Sequence, residues 1–346
     1  MRLVTSTEAR AAALVGALLL GACSGNGGAS GSGGSTGSGG DGPGTGGTSS
    51  GTGGATPGTG GTNAGTGGTV GTGGVTGSGG TSSATGGSGG AGAVVRSAGC
   101  GQATTLKSGT ATIDVSGTSR TYILQIPSNY DSSKPYKLIF GFHWLGGNAT
   151  DVASGNIIGG PYYGLSSRSA GSAILVAPDG LPDASQNNSK GWPNTNGQDV
   201  AFVKAMLQQF ESNLCIDQSR IFSTGFSYGG IFSLVLGCEM SNVFRAIAPE
   251  SGEFFGSCRT KGGPVAVWQA QGDSDPTVQP ANAQSANNYF VTMNHCTTQT
   301  TAVSPSPCVT YQGCDSGYPV TWCEFSGGHM PWSQAPDPVW AFFNQF

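Results

Sequence analysis

One serine stands in a sequence setting that suits nucleophilic catalysis. Residues 225–229 read Gly-Phe-Ser-Tyr-Gly, with Ser227 at the centre, directly after a strand-like run and directly before the apolar run 231–236. Small flanking residues permit a sharp strand-to-helix turn that exposes the serine Oγ, although such a turn strains the serine backbone. A serine held in this way attacks an ester carbonyl once a base takes its proton. In so glycine-rich a chain the alternative is an ordinary turn, but the strand before and the helix after favour a nucleophile.

The motif and its context resemble the nucleophile turn of α/β-hydrolases, in which serine, acid and histidine follow one another along the chain. The chain has three histidines. His143 precedes the serine, where that family builds its oxyanion hole, and His295 lies beside Cys296 in a segment that reads as surface. His329 follows the last predicted strand and two glycines, which let a loop carry the imidazole to the serine. His329 is therefore the predicted base.

Two carboxylates compete to orient that imidazole. Residues 272–278 read Gly-Asp-Ser-Asp-Pro-Thr-Val after an apolar strand, so Asp273 and Asp275 end the same strand. The acid of a serine triad holds the histidine tautomer and stabilises the imidazolium. Related hydrolases carry a G-x-x-D-x-x-V pattern here, and that resemblance implies Asp275 as the acid. Asp273 is then expected to cap the loop.

A tetrahedral oxyanion needs preorganised donors, normally two backbone N–H groups. The first is predicted to be the amide of Tyr228, because the residue after the serine begins a helix. The second is expected from residues 143–147, His-Trp-Leu-Gly-Gly, which stand in place of the family's HGGG element. Because Trp144 replaces a first glycine, the second donor stays open between Trp144 and Leu145.

The elements around these residues predict an α/β domain of the α/β-hydrolase fold, with a mostly parallel central sheet covered by helices on both faces. Two runs that flank Gly117 predict an antiparallel hairpin. A helix is predicted over residues 199–214 for core packing, with Asp199 as its N-cap. The predicted strands are 111–115, 121–126, 137–142, 173–177, 220–224, 244–249, 265–271 and 319–325.

The N-terminal quarter of the chain predicts export. Basic residues, a short apolar run and the sequence Leu-Gly-Ala before Cys23 are typical of a signal peptide over residues 1–22, and they resemble a bacterial lipoprotein lipobox. That resemblance implies a lipid on Cys23; an ordinary secretory signal is the alternative. Residues 23–96 are almost only Gly, Ser, Thr and Ala, a composition that predicts a disordered linker before the domain at 97–346.

Charge and cysteine content exclude other classes of function. A net charge of −4 with 14 Lys and Arg residues offers no basic stripe for nucleic acid. Beyond Cys23 an even number of cysteines predicts four disulfides in an exported domain, and the absence of a Cys-x-x-Cys pair disfavours a metal site. Those cysteines are Cys100, Cys215, Cys238, Cys258, Cys296, Cys308, Cys314 and Cys323.

Across the whole domain the chain resembles the extracellular feruloyl esterase and poly(3-hydroxybutyrate) depolymerase group of carbohydrate esterases. The motifs that carry this resemblance are residues 142–147, 191–192, 199–203, 225–230, 272–278 and 327–329. The resemblance implies a serine triad without a cofactor, acting on hydroxycinnamoyl or acetyl esters of xylan or on polyester. The chain departs from many relatives in having Gln271 rather than His before Gly272.

The resemblance of the C-terminal part to feruloyl esterases favours a feruloyl ester as substrate. It also implies the disulfides Cys308–Cys323 and Cys296–Cys314. Trp144, Trp192 and Trp332 are candidates for an aromatic wall, with core or rim packing as the alternative for each.

Acetylxylan esterase and polyhydroxybutyrate depolymerase remain alternative activities, and a surface carbohydrate-binding pseudo-hydrolase is the non-enzymatic alternative. The expected partners are an ester-bearing plant polysaccharide or polyester and a membrane that holds the lipid. The protein is expected to act as a monomer outside the cytoplasm.

Overall fold

The computed structural model describes residues 93–155, 159–254 and 262–346. The predicted signal peptide, Cys23, the linker up to residue 92 and Cys258 lie outside these ranges. The described residues belong to one unit, Gly87–Phe346. The chain contacts the folded unit slightly before the predicted domain boundary at residue 97: Val95 N–H donates to Asp217 Oδ1 at 3.0 Å. Within the described ranges no helix has the length and apolarity needed to cross a membrane.

The predicted α/β pattern is confirmed, with strand bounds close to those expected from the sequence. The strands are β1 (Gly109–Val115), β2 (Thr118–Gln125), β3 (Tyr136–Phe142), β4 (Ala173–Pro178), β5 (Leu181–Asp183), β6 (Ser189–Gly191), β7 (Ile216–Phe226), β8 (Ala246–Glu250), β9 (Ala266–Gly272), β10 (Thr300–Ala302), β11 (Val309–Tyr311) and β12 (Val320–Phe325). The helices are α1 (Ala149–Ser154), α2 (Leu165–Ser169), α3 (Gln198–Asn213), α4 (Tyr228–Glu239), α5 (Pro280–Met293) and α6 (Pro336–Phe343).

A ten-stranded sheet in the order β1-β2-β4-β3-β7-β8-β9-β12-β11-β10 forms the centre of the fold. Its middle strands, from β4 to β12, pair in parallel, while β1, β2, β11 and β10 extend the two edges antiparallel. The predicted hairpin at Gly117 is β1–β2. The carboxyl ends of parallel strands meet at one edge, so the loops after β3, β7, β9 and β12 share that edge.

Successive side chains of a strand point to opposite faces of the sheet, so the core has two layers, one on each face. In β3, Leu138, Phe140 and Phe142 pack with residues of α3, α4 and α5. Ile139, between them, packs on the opposite face with residues of α1, α2 and α6. Both sets are almost fully buried. Because neither face of the central strands meets water, their sequences read as continuous apolar runs.

The prediction of Asp199 as the N-cap of a helix is wrong, although the helix itself is present. The N-cap of α3 is Gly197, with φ 78°. Asp199 lies inside the first turn and is fully buried, where its Oδ1 accepts from Arg120 Nη2 at 2.8 Å. Its Oδ2 accepts from Asn194 N–H at 2.9 Å. The buried guanidinium of Arg120 needs an anionic partner. The Asp199 carboxylate therefore pairs with Arg120 and does not cap the N-terminus of α3.

Disulfides brace the fold near the sheet edge and at the N-terminal end of β7. The described bridges are Cys100–Cys215, Cys296–Cys314 and Cys308–Cys323. The two pairs that the family resemblance implied are thereby confirmed, and Cys308–Cys323 joins the neighbouring antiparallel strands β11 and β12. Cys238 is disulfide-bonded as well. Such bridges persist in oxidising compartments, so the domain works outside the cytoplasm.

Candidate active site

Ser227 occupies a strained turn between β7 and α4. Its backbone has φ 54° and ψ −120°, and it stands at the N-cap position of α4. A positive φ at a residue other than glycine costs about 1–3 kcal/mol and persists only where its surroundings enforce it. Here Ser227 N–H donates to Glu250 O at 2.9 Å, and Ser227 O accepts from Ile231 N–H at 2.8 Å. These bonds hold the turn with the side chain partly exposed.

Glycines let the turn pack directly on the end of β3. A Cβ built on Gly229 would lie 2.1 Å from Phe142 O, and one on Gly225 would lie 2.5 Å from the carbonyl carbon of Gly229. No larger side chain fits at either position without moving the backbone. The G-x-S-x-G spacing therefore brings Ser227 beside the loop that follows β3.

His329 joins the serine to an acid in one hydrogen-bonded line. Its Nε2 lies 2.8 Å from Ser227 Oγ, and its Nδ1 lies 2.8 Å from Asp275 Oδ2. The imidazole side chain is 11% exposed and packs against Phe226, with ring centroids 4.7 Å apart. The loops after β7, β9 and β12 supply the three groups. The candidate nucleophile, base and orienting acid thus meet at hydrogen-bond distance.

The surroundings of Asp275 favour its ionised form. Burial raises the pKa of this carboxyl, but the hydrogen bond and charge of His329, with further backbone hydrogen bonds, lower the pKa below its ordinary value. Asp275 Oδ1 accepts from Thr277 N–H at 2.8 Å and from Val278 N–H at 3.0 Å. Gln271 Nε2 donates to Oδ2 at 3.1 Å. The carboxylate is fixed on both oxygens and can hold a proton on His329 Nδ1.

Asp273, the competing carboxylate, is bonded to the loop that carries His329. Its Oδ1 accepts from Gly327 N–H at 3.1 Å and from Ser274 Oγ at 2.8 Å. Close contact between the two loops also requires glycine at 272, where an added Cβ would lie 2.4 Å from Gly328 O. Asp273 therefore contacts the histidine loop through backbone, while Asp275 contacts the imidazole itself.

The loop after β3 carries the candidate oxyanion donors. Gly146 N–H donates to Lys190 O at 2.8 Å, and Gly147 N–H donates to Trp144 O at 3.0 Å. Within the described residues no hydrogen-bond partner is found for the N–H groups of Trp144 and Leu145. Tyr228, the other candidate, is the first residue of α4. Trp144 and Leu145 are both candidates for the second donor.

His143 has a structural role that the sequence did not reveal. Its ring is fully buried, with Nδ1 2.7 Å from Trp144 O and Nε2 2.9 Å from Gly180 N. The Gly180 amide can only donate, so Nε2 accepts and Nδ1 carries the proton. Burial lowers the pKa of His143 to about 4. The neutral imidazole fastens the loop after β3 to the loop after β4.

The tryptophans proposed for an aromatic wall differ in exposure. Trp192 is 3% exposed, stacks on Phe232 and donates from Nε1 to His143 O at 2.8 Å. Trp332 is 7% exposed and stacks on Phe325 with centroids 5.5 Å apart. Both rings pack as core residues, the alternative that the sequence left open. Trp144 is the partly exposed one of the three.

Two exposed apolar side chains stand next to candidate site residues in the chain, and the sequence indicated no role for either side chain, although the Leu145 backbone is a candidate donor. Leu145 is 38% exposed on the loop after β3, and Met330, which follows His329 directly, is 52% exposed. Few large apolar side chains in the described ranges are this exposed, and these two adjoin the candidate donor and base. Leu145 and Met330 are together called the apolar rim, by their exposure and by their places in the chain next to a candidate donor and the candidate base.

The fold and site define a class of protein. Residues 179–311 match the family described as phospholipase/carboxylesterase. The acetyl xylan esterase from Aspergillus awamori shares the fold, with a TM-score of 0.55 at 16% identity, over 68% of this chain and 99% of that one. The chain is an α/β-hydrolase of the serine carboxylic ester hydrolase class.

Proteins similar in sequence show which family of ester hydrolases the chain belongs to. The probable feruloyl esterase C of Aspergillus terreus is 41% identical over 250 residues, which cover 69% of this chain and 87% of the relative. Feruloyl esterase D of Neurospora crassa is 39% identical over 261 residues, covering 70% and 88% respectively. The chain belongs to the feruloyl esterase family, as its sequence motifs indicated.

Proposed function

We propose that this enzyme releases hydroxycinnamates from plant cell-wall xylan by hydrolysing feruloyl esters. The observation that carries the ester chemistry is the single line of hydrogen bonds from Asp275 through His329 to Ser227, with 2.8 Å on each side of the imidazole. The relatives named as feruloyl esterases support the choice of acyl group.

Each group has a defined part in the proposed reaction. His329 Nε2 takes the hydroxyl proton as Ser227 Oγ bonds to the ester carbonyl carbon, and Asp275 stabilises the imidazolium. The N–H of Tyr228 and that of Trp144 or Leu145 bind the oxyanion. The carbon–oxygen bond to the sugar then breaks, and His329 returns the proton to the leaving alcohol. A water molecule, deprotonated by His329, hydrolyses the acyl-enzyme and releases the acid.

The apolar rim favours an aromatic acyl group over acetate. A hydroxycinnamoyl ring has apolar area to bury against Leu145 and Met330, whereas an acetyl group has a single methyl. Acetylxylan esterase and polyhydroxybutyrate depolymerase activity are the competing assignments. Acetylated xylan and polyhydroxybutyrate have no aromatic acyl group that could pack against Leu145 and Met330.

The test is a substrate comparison with rim variants. The purified full chain should turn over methyl ferulate with a higher kcat/KM than acetylated xylan or polyhydroxybutyrate. Leu145→Ala and Met330→Ala should each lower kcat/KM for methyl ferulate about fivefold, through loss of about 1 kcal/mol of apolar contact. Turnover of acetyl esters by the same variants should stay near the parent value.

Val95→Ala is the matched control, because Val95 is 49% exposed and its N–H donates to Asp217 Oδ1 at the start of β7. Ser227 follows the other end of that strand, about 20 Å away, because the two ends of β7 pair with Tyr136 and Phe142, six residues apart on β3 at about 3.3 Å per residue. A preference for acetylated xylan or polyester, or equal losses on both esters in the rim variants, would contradict the feruloyl assignment.

We also propose that the chain is a lipoprotein with a signal peptide at 1–22, lipid on Cys23, a spacer to residue 96 and the esterase domain at 97–346. Support comes from the apolar run 11–20 followed by Leu-Gly-Ala-Cys. Cys23→Ser should move the enzyme from the membrane fraction to the soluble fraction with unchanged kcat, while Ser24→Ala should leave it in the membrane fraction. Equal partitioning of parent and Cys23→Ser would refute the anchor.

A further inference from the structure

Glu250 lies between the two loops that carry the candidate nucleophile and base. It ends β8, next to β7 in the sheet, and is 3% exposed. Its carbonyl oxygen accepts from Ser227 N–H at 2.9 Å. Its side-chain Oε2 accepts from Trp332 N–H at 2.8 Å, three residues after His329. One residue therefore contacts both loops, the first through its backbone and the second through its carboxyl group.

The backbone around Glu250 is closely packed. A Cβ on Gly230, in the first turn of α4, would lie 2.5 Å from Glu250 O, and one on Gly252 would lie 2.8 Å from the carbonyl carbon of Gly230. The buried phenol of Tyr163 also ties the turn, because it accepts from Phe226 N–H at 3.1 Å and donates to Phe142 O at 2.6 Å. These contacts hold the carbonyl oxygen of Glu250 at hydrogen-bond distance from Ser227 N–H.

Packing alone does not explain a carboxyl group at this position. Burial raises the pKa of Glu250 to about 7, although the hydrogen bond from Trp332 opposes the shift. A buried ionisable group costs free energy that an apolar side chain of similar volume would avoid. What the carboxyl adds is an acceptor for the Trp332 amide. Trp332 is itself held by stacking on Phe325.

We propose that Glu250 is a positioning residue that sets the separation of Ser227 Oγ and His329 Nε2 by joining the nucleophile turn to the histidine loop. This inference rests on the proposed catalytic roles of Ser227 and His329. Without the Glu250 carboxyl group, Trp332 N–H loses its acceptor. The histidine loop then keeps its bonds to Asp273, Ser274 and Asp275 and the stacking of Trp332, but it loses its tie to the strand beside the nucleophile turn. The imidazole then samples positions in which Nε2 is too far from Oγ to take its proton.

The experiment compares Glu250→Leu, which keeps the volume and removes the acceptor, with Glu250→Gln, which keeps an acceptor oxygen. Glu250→Leu should lower kcat for methyl ferulate about 100-fold with KM within about threefold, since small misplacement of a reacting group costs about that much. Glu250→Gln should recover kcat to within about tenfold of the parent. The rate at which a fluorophosphonate phosphonylates Ser227 Oγ, with release of fluoride, should fall in parallel with kcat.

Glu211→Leu is the matched control, because Glu211 is a partly buried carboxyl whose pKa burial also raises, but on α3. It should retain parental kcat. Equal kcat in Glu250→Leu and the parent, with both folded by circular dichroism, would overturn the inference, and so would equal losses in the Leu and Gln variants. An active Ser227→Ala enzyme would instead refute the proposed triad, so the two failures are distinguishable.

Discussion

Ser227→Ala should lower kcat for methyl ferulate by about 10⁵–10⁶-fold, equivalent to about 7–8 kcal/mol of transition-state stabilisation. The hydroxyl whose Oγ lies 2.8 Å from His329 Nε2 is the proposed nucleophile, and alanine offers no atom to attack the carbonyl. Removing the serine or the histidine of such a unit costs about as much as removing the whole unit. Initial rates measured at saturating ester, with an acyl-enzyme burst in the parent and none in the variant, provide the check.

The same substitution should leave the fold intact. The side chain is partly exposed and its hydroxyl contacts only the imidazole among the described residues, while the backbone bonds of Ser227 to Glu250 and Ile231 are kept. Ser251→Ala is the matched control. Ser251 also follows a strand with a positive φ of 45°, but its buried hydroxyl has no partner in the described part of the chain. Comparable losses in the two variants, or a Ser227→Ala enzyme near parental kcat, would disprove the nucleophile.

Much of the fold follows from local pattern. Continuous apolar runs such as Leu138 to Phe142 are buried on both faces, and residue type alone therefore predicts a central strand. The serine turn follows from two glycines whose Cβ positions are filled by backbone atoms. The C-terminal disulfides agreed with the family resemblance because Cys308 and Cys323 lie opposite each other across β11 and β12.

What the sequence did not reveal depends on contacts between residues far apart in the chain. Asp199 has the composition of an N-cap, yet it pairs with Arg120, 79 residues earlier. His143 lies in the segment from which the sequence predicts an oxyanion donor, but burial and the Gly180 amide make its side chain a neutral structural group. The short strands β10 and β11 carry no periodic signal because each has three residues without a buried face. The local sequence shows which residue types are present, but it does not show which residues far away in the chain they contact.

Strands β5 and β6 pair antiparallel as a hairpin, and Tyr228 packs against it. Tyr228 Oη donates to Asp183 Oδ2 at 2.6 Å, while the residue's backbone supplies a proposed oxyanion donor. A Cβ on Gly191, in β6, would lie 2.4 Å from the Tyr228 ring. Lys190 O, one residue earlier, accepts from Gly146 N–H. The hairpin thereby contacts both regions from which oxyanion donors are proposed, and it fixes their relative position.

Asp275→Asn should lower kcat by about 10³–10⁴-fold with little change in KM, a smaller loss than that of Ser227→Ala. Asp275 Oδ1 is held by the amides of Thr277 and Val278, so the new amide nitrogen falls at the Oδ2 position and faces His329 Nδ1. That nitrogen can only donate. The imidazole must then accept at Nδ1 and carry its proton on Nε2, which leaves no base beside the serine. Steady-state kinetics on methyl ferulate measure the loss.

Asp273→Asn is the internal control, because the two carboxylates end the same strand and the change is isosteric at both. The Asn side chain keeps an oxygen to accept from Gly327 N–H, so the histidine loop keeps its contact and kcat should fall less than tenfold. The tautomer argument applies only at position 275, since only that side chain meets the imidazole. A larger loss from Asp273→Asn than from Asp275→Asn would assign the acid to the other carboxylate and would require the histidine loop to adopt another position during catalysis.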